Sequence, residues 1–87
     1  MRINEQRTFT MYLNEEEFEM MHHITESVPY GYRFDGEEFI ITLTEDMLDD
    51  IQDLLNNESY VQEYEECNRY KAEKIRYLLD SIYMELE

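Results

Sequence analysis

From Phe34 to Asn68 the chain runs for thirty-five residues without a lysine or an arginine, while aspartate and glutamate recur throughout. The segment Thr44 to Glu66, TEDMLDDIQDLLNNESYVQEYEE, alone carries nine carboxylates. A stretch this charged can fold only if its apolar residues gather on one side. Met47, Leu48, Ile51, Leu54 and Leu55 do so at the three-and-four spacing of a buried helix face. Asp46, Asp49, Asp50 and Asp53 repeat at the same spacing on the opposite side. Thr44 supplies a hydroxyl cap for the first turn, and Glu45 and Asp46 follow where the helix dipole favours negative charge. Neighbouring carboxylates on the outer face then lie roughly 5–6 Å apart at their β-carbons and repel by roughly 0.2–0.5 kcal/mol per pair.

A helix face that serves only solubility usually mixes both signs of charge. Here, between Thr8 and Asn68, seventeen acidic residues face a single basic one, Arg33. That is a net charge of −16 (one minus seventeen), already beyond the −15 of all 87 residues. The remaining cations sit at the ends, as Arg2 and Arg7, then Arg69, Lys71, Lys74 and Arg76. Two readings follow: an acidic solvated surface, or a surface selected to dock on something basic.

Eighty-seven residues support one domain with a modest core, and 43% hydrophobic content argues for a folded chain despite the charge. One cysteine, Cys67, excludes an internal disulfide and fits a reducing compartment. The N-terminal MRINEQR has no apolar signal region, and no apolar run approaches the ~20 residues that cross a bilayer. A polyanion is repelled by acidic lipid and by nucleic acid. These features predict a cytoplasmic protein with no membrane contact and no direct contact with nucleic acid.

The spacing predicts a small α+β domain of order βαββαα. Its three-stranded antiparallel sheet takes residues 8–13, 31–35 and 38–43, and its helices take residues 14–27 and 44–57. Asn14 and Glu17 form a capping box, and the helix they open buries Phe18, Met21 and Ile24 and ends near Ser27, since Pro29 restrains Val28. Asp35-Gly36 marks a hairpin between Tyr32-Arg33-Phe34 and Phe39-Ile40-Ile41. Asn56, Asn57 and Glu58 interrupt the acidic helix, and Ser59 caps a last helix over residues 59–86. Unbroken, that helix measures roughly 40 Å and overhangs a domain of this size, so it either breaks near Asn68 to Lys71 or finds a partner. Its apolar positions are Tyr60, Tyr64, Cys67, Ile75, Leu78 and Ile82, with Glu65–Arg69 and Arg76–Asp80 as supporting pairs. The units Phe9–Ile24 and Phe39–Leu54 match at an offset of thirty residues, a likeness that common capped helix starts explain.

Catalytic chemistry has little to stand on. Glu19-x-x-His22 and His23-x-x-Glu26 have helical ligand spacing, but a di-iron bundle needs two such motifs on separate helices plus further carboxylates. No metal or other cofactor is therefore assigned. Cys67 has Glu65 and Glu66 beside it, which oppose thiolate formation, and reads as a packed small hydrophobe. With two glycines, Gly31 and Gly36, the chain has no glycine-rich phosphate loop. A non-enzymatic role follows. Eight tyrosines are the other departure from average composition. Tyr60 and Tyr64 read as core, and Tyr70 and Tyr77 as an exposed contact stripe.

The charge pattern points to a basic protein partner, foremost a nucleic-acid-binding enzyme such as a nuclease, whose phosphate-binding groove the carboxylates occupy. The expected contacts are Asp35, Glu37, Glu38, Asp46, Asp49, Asp50, Asp53, Glu63 and Glu66, joined by Tyr70 and Tyr77. In size, acidity and lack of catalytic motifs the chain is similar to phage-encoded anti-CRISPR, anti-restriction and glycosylase-inhibitor proteins. This similarity of type implies a DNA-mimicking inhibitor. The alternatives are an antitoxin, immunity or adaptor protein anchored by tyrosines, and a small acidic homo-oligomer. Monomer and homodimer both fit the sequence.

Overall fold

A computed structural model describes residues 2–5 and 8–86. In chain order the elements are β1 (Arg2–Glu5), β2 (Phe9–Leu13), α1 (Glu15–Thr25), β3 (Gly31–Phe34), β4 (Phe39–Leu43), α2 (Glu45–Tyr60), a π-helical turn (Val61–Glu65) and α3 (Arg69–Leu86). The α+β class and the order βαββαα over residues 8–86 are as the spacing predicts. The segment RINE, too polar to register as a strand in the sequence, adds β1, and the antiparallel sheet runs β1-β2-β4-β3.

Period-two alternation decides which side of the sheet is covered. Met11 and Leu13 of β2 and Ile41 and Leu43 of β4 are fully buried beneath the helices, whereas Thr42 is exposed. Register joins the two central strands symmetrically: Phe9 lies opposite Leu43, Met11 opposite Ile41, and Leu13 opposite Phe39. An offset of thirty exchanges the pairs Phe9–Leu43 and Leu13–Phe39, so this pairing is an approximate two-fold through Met11 and Ile41, relating β2-α1 to β4-α2. The offset of thirty seen in the sequence thus has a structural counterpart.

Both helices begin on the caps expected of them. Asn14 Oδ1 accepts the Glu17 N–H at 2.8 Å while Glu17 Oε1 accepts the Asn14 N–H at 2.9 Å. Thr44 Oγ1 accepts the Met47 N–H at 3.2 Å. Phe18 and Met21 from α1 meet Leu48, Ile51 and Leu55 from α2 in the core. Thr25 is also buried, its hydroxyl donating to the Met21 carbonyl at 2.7 Å and lying 3.0 Å from the Tyr30 hydroxyl.

The acidic helix does not stop at Asn57. It continues through Asn56, Asn57 and Glu58 because its buried stripe continues, from Leu55 to Ser59 and Gln62. Ser59 caps nothing: its hydroxyl donates to the Asn56 carbonyl at 2.7 Å within the helix. Burial outweighs the modest helix propensity of asparagine.

Past Tyr60 the helix widens, and the Glu66 N–H reaches the Val61 carbonyl at 2.9 Å. Cys67 then takes the left-handed conformation, at φ 55°, and the Asn68 N–H closes on the Gln62 carbonyl at 2.6 Å. Asn68 starts α3, its side-chain oxygen accepting the Lys71 N–H at 3.1 Å. The break therefore falls at Glu66–Asn68, and α3 folds back on α2.

Beyond the joint, Ala72, Ile75, Leu78, Leu79 and Ile82 form the buried stripe of α3. The continuation of the α2 stripe through Ser59 and Gln62, and the new helix start at Asn68, correct three assignments. Tyr60 and Tyr64 are exposed, their rings 4.6 Å apart, and Cys67 is exposed at the reversal. The joint also separates Glu65 from Arg69, and Arg76 pairs with Glu63 across it instead of with Asp80.

Candidate partner-binding surfaces

α2 presents Asp46, Asp49, Asp50 and Asp53 together on its outer face, all exposed, because the opposite stripe of Leu48, Ile51 and Leu55 is held in the core. Among the described residues no cation pairs with this row. The ion pairs seen there engage two of the four cations of α3 elsewhere: Lys74 Nζ lies 2.9 Å from Glu16 Oε1, and Arg76 meets the Glu63 carboxylate. Glu63 is thereby half-buried and neutralised rather than offered to a partner. Glu66 is exposed at the joint, away from the four-aspartate row in sequence and phase.

The hairpin acids form a separate group. The turn centres on Gly36 and Glu37, with Gly36 at φ 103°, where a side chain would be strained. The Asp35 N–H donates to the Glu38 carbonyl at 3.1 Å. Asp35 Oδ1 accepts the N–H groups of Glu38 at 2.8 Å and Glu37 at 2.9 Å. These backbone bonds hold the Asp35 carboxyl below the usual aspartate range. Asp35 thus builds the turn, while Glu37 is exposed and Glu38 half-buried. This turn lies at the far end of β4 from Thr44. Leu13 is opposite Phe39, so it shares its end of the sheet with the start of α1. Asp35, Glu37 and Glu38 thus belong to the β3–β4 turn rather than to the α2 face.

Tyr70 and Tyr77 are 70% and 74% exposed, as a contact stripe requires. Lys74 lies between them, its Nζ 4.7 Å from the Tyr70 ring centroid. The bond to Glu16, and then Tyr70, raise the Lys74 pKa above its usual value. Tyr77 and Lys74 also line a groove against Asn14, Glu16, Glu17 and Met20 of the α1 start.

One aromatic surface was not anticipated from the sequence. Phe18 stacks on Phe39 at 4.0 Å, with Tyr32 at 4.9 Å and His22 at 5.1 Å from the Phe18 ring, and Phe34 flanks Phe39 at 4.8 Å. Tyr32 and Phe34 remain about half exposed on β3, at 51% and 56%. The alternation Tyr30, Tyr32, Phe34 was the available signal. His22 is drawn into this cluster, its Nδ1 2.9 Å from the Tyr30 hydroxyl. Burial, opposed by the Thr25 bond, raises the Tyr30 phenol above its ordinary value. Among the described residues no three His, Cys, Asp or Glu side chains gather as a metal site, and no helix is long and apolar enough to cross a membrane.

Comparison with protein families, with characterised proteins and with solved structures found no match to the chain.

Proposed function

We propose that this protein is an acidic docking protein that occupies the basic groove of a nucleic-acid-binding enzyme and so inhibits it in the cytoplasm. The α2 carboxylates stand in for phosphates. The observation that carries this reading is the exposed row Asp46, Asp49, Asp50 and Asp53, left without a cation among the described residues while Lys74 and Arg76 neutralise Glu16 and Glu63. Repulsion within the row disfavours the free protein slightly, and a groove of lysines and arginines would relieve it. One strand of duplex DNA carries a charge per roughly 3.4 Å of axis, and the row, four carboxylates over roughly 10 Å of helix, offers a comparable ladder. Such docking is steered by charge and weakened by salt. The role is one of binding rather than catalysis, of the kind that anti-CRISPR and anti-restriction inhibitors perform.

The test is capture of bound proteins from a nuclease-treated bacterial lysate, followed by competition. A retained nucleic-acid enzyme should be displaced by duplex DNA or RNA, and retention should fail for the variant carrying Asp46→Asn, Asp49→Asn, Asp50→Asn and Asp53→Asn. Retention of the same enzyme by that variant would remove the basis for mimicry. A second reading, an immunity or adaptor protein, is favoured by the exposure of Tyr70 and Tyr77. Alanine scanning separates the two, because mimicry spreads a shallow loss over many acids and the adaptor concentrates it in one or two tyrosines.

A further inference from the structure

β3 is an edge strand, and all four of its residues are exposed. Its hydrogen-bonding parity is fixed by the Asp35 N–H, which points inward to Glu38. Alternation then turns Arg33 and Gly31 toward β4, and leaves the N–H and C=O of Tyr32 and Phe34 facing outward. Edge strands in soluble proteins are ordinarily blunted by charge, proline or a covering element. This one carries a single charge, Arg33, on one face, and on the other two half-exposed aromatic side chains beside its open backbone groups.

We infer that the free edge of β3 receives an extended, lysine- or arginine-bearing segment of a partner protein as a fifth strand. Charge around the edge selects this occupant. α1 lies over β3, with His22 5.1 Å from the Tyr32 ring. Residues on the same side of α1 as His22, by the three-and-four spacing, are Glu15, Glu19 and Glu26, all exposed. Asp35 and Glu37 close one end of the edge. A segment added here would bond to Tyr32 and Phe34 and lay alternate side chains over the aromatic rings and toward those carboxylates. Lysine or arginine at those positions gains both ion pairing and a cation–ring contact. The residue opposite Arg33 falls on the other face of the sheet, where a small or acidic side chain is preferred. A second copy of this chain is disfavoured by the same rim, since two-fold pairing of β3 strands would face each α1 carboxylate row toward its like.

This inference shares with the α2 reading only the sign of the partner's charge, and its test separates them. The probe is a synthetic peptide of alternating lysine and valine, added at ~0.15 M salt, where surface charges are screened within ~8 Å. The readout is amide hydrogen exchange by NMR. In the free protein the Arg33 amide should be protected and those of Tyr32 and Phe34 should exchange freely. The peptide should slow exchange at Tyr32 and Phe34 by about tenfold or more, and a glutamate–valine peptide should not. Phe34→Pro removes an outward donor and should weaken the peptide's affinity about tenfold, a size expected of a central contact. Glu19→Lys with Glu26→Lys leaves the strand intact and should weaken it too. The four-aspartate variant of α2 should keep the protection. Binding of the lysine peptide without protection of Tyr32 and Phe34, or no binding, would overturn the inference. So would concentration-dependent protection of the two amides in the protein alone, which would give the edge to a second copy.

Discussion

Cys67→Gly should stabilise the protein, and the amount follows from one dihedral angle. At φ 55° Cys67 holds a conformation that costs an L-residue roughly 1–2 kcal/mol and glycine almost nothing. Glycine also loosens the unfolded chain, which takes back roughly 0.4–1 kcal/mol. The thiol is exposed, so its removal forfeits no packing. The net gain is about 0.5–1 kcal/mol, which for a domain of this size raises Tm by about 2–8 °C. Cys67→Ala keeps the angular penalty and serves as the reference. Urea unfolding followed by far-UV circular dichroism gives both stabilities, and an unchanged m-value certifies that the native state has kept its compactness. If the glycine variant is instead less stable than the alanine variant by about 1 kcal/mol, residue 67 lies inside a continuous helix. The folded-back α3 would then be refuted.

Raising salt from low concentration to ~0.15 M should raise the wild-type Tm by screening the aspartate row. The variant with Asp46, Asp49, Asp50 and Asp53 changed to asparagine should gain up to about 1 kcal/mol at low salt and respond less to added salt, both read by calorimetry. The lowered pKa of Asp35 carries a definite sign: its stabilising contribution is present above the unfolded aspartate value and is lost as pH falls through the lower folded value. The Tm deficit of Asp35→Ala should accordingly be full at neutral pH and shrink in strong acid, and a deficit that grows on acidification would contradict the turn geometry. Thr25→Val should cost about 1–3 kcal/mol, because it replaces a buried hydroxyl that serves both the Met21 carbonyl and the Tyr30 phenol. Thr25→Ser should recover most of that loss in the same denaturation experiment.

The elements most readable from the sequence were those whose local chemistry and burial agree. Asn14 with Glu17, and Thr44 before Met47 and Leu48, announce helix starts that the structure uses. Asp35-Gly36 between two aromatic runs marks the hairpin. The end of α2 was not legible because local and tertiary signals conflict there: Asn56 and Asn57 suggest a stop, whereas Ser59 and Gln62 are carried on by their burial against the rest of the fold. Cys67 misled for a related reason. Its apolar phase with Tyr60 and Tyr64 holds only along an unbroken helix, and nothing in a cysteine advertises a left-handed turn. Of the residues expected to make contacts, the aspartate row of α2 and the exposure of Tyr70 and Tyr77 could be read directly. The withdrawal of Glu63 could not, since it depends on Arg76 folding back thirteen residues later. The ridge of Tyr32 and Phe34 was hidden too, because alternation cannot distinguish an edge strand from a central one.

The joint at Glu66–Asn68 also returns α3 to its own chain. A helix continued from Glu45 to Leu86 would reach roughly 63 Å, well beyond the 37 Å of the longest molecular dimension. Only three residues turn it back, and one of them is held against its conformational preference. Short, strained hinges of this kind invite exchange of the element beyond them between two chains. A straightened hinge would carry the stripe of Ala72, Ile75, Leu79 and Ile82 onto the α2 of a neighbour, where it would bury the same surface it buries at home. In that exchange residue 67 would tilt the balance: glycine there would favour the turn that keeps α3 on its own chain, and a bulky β-branched residue would oppose it.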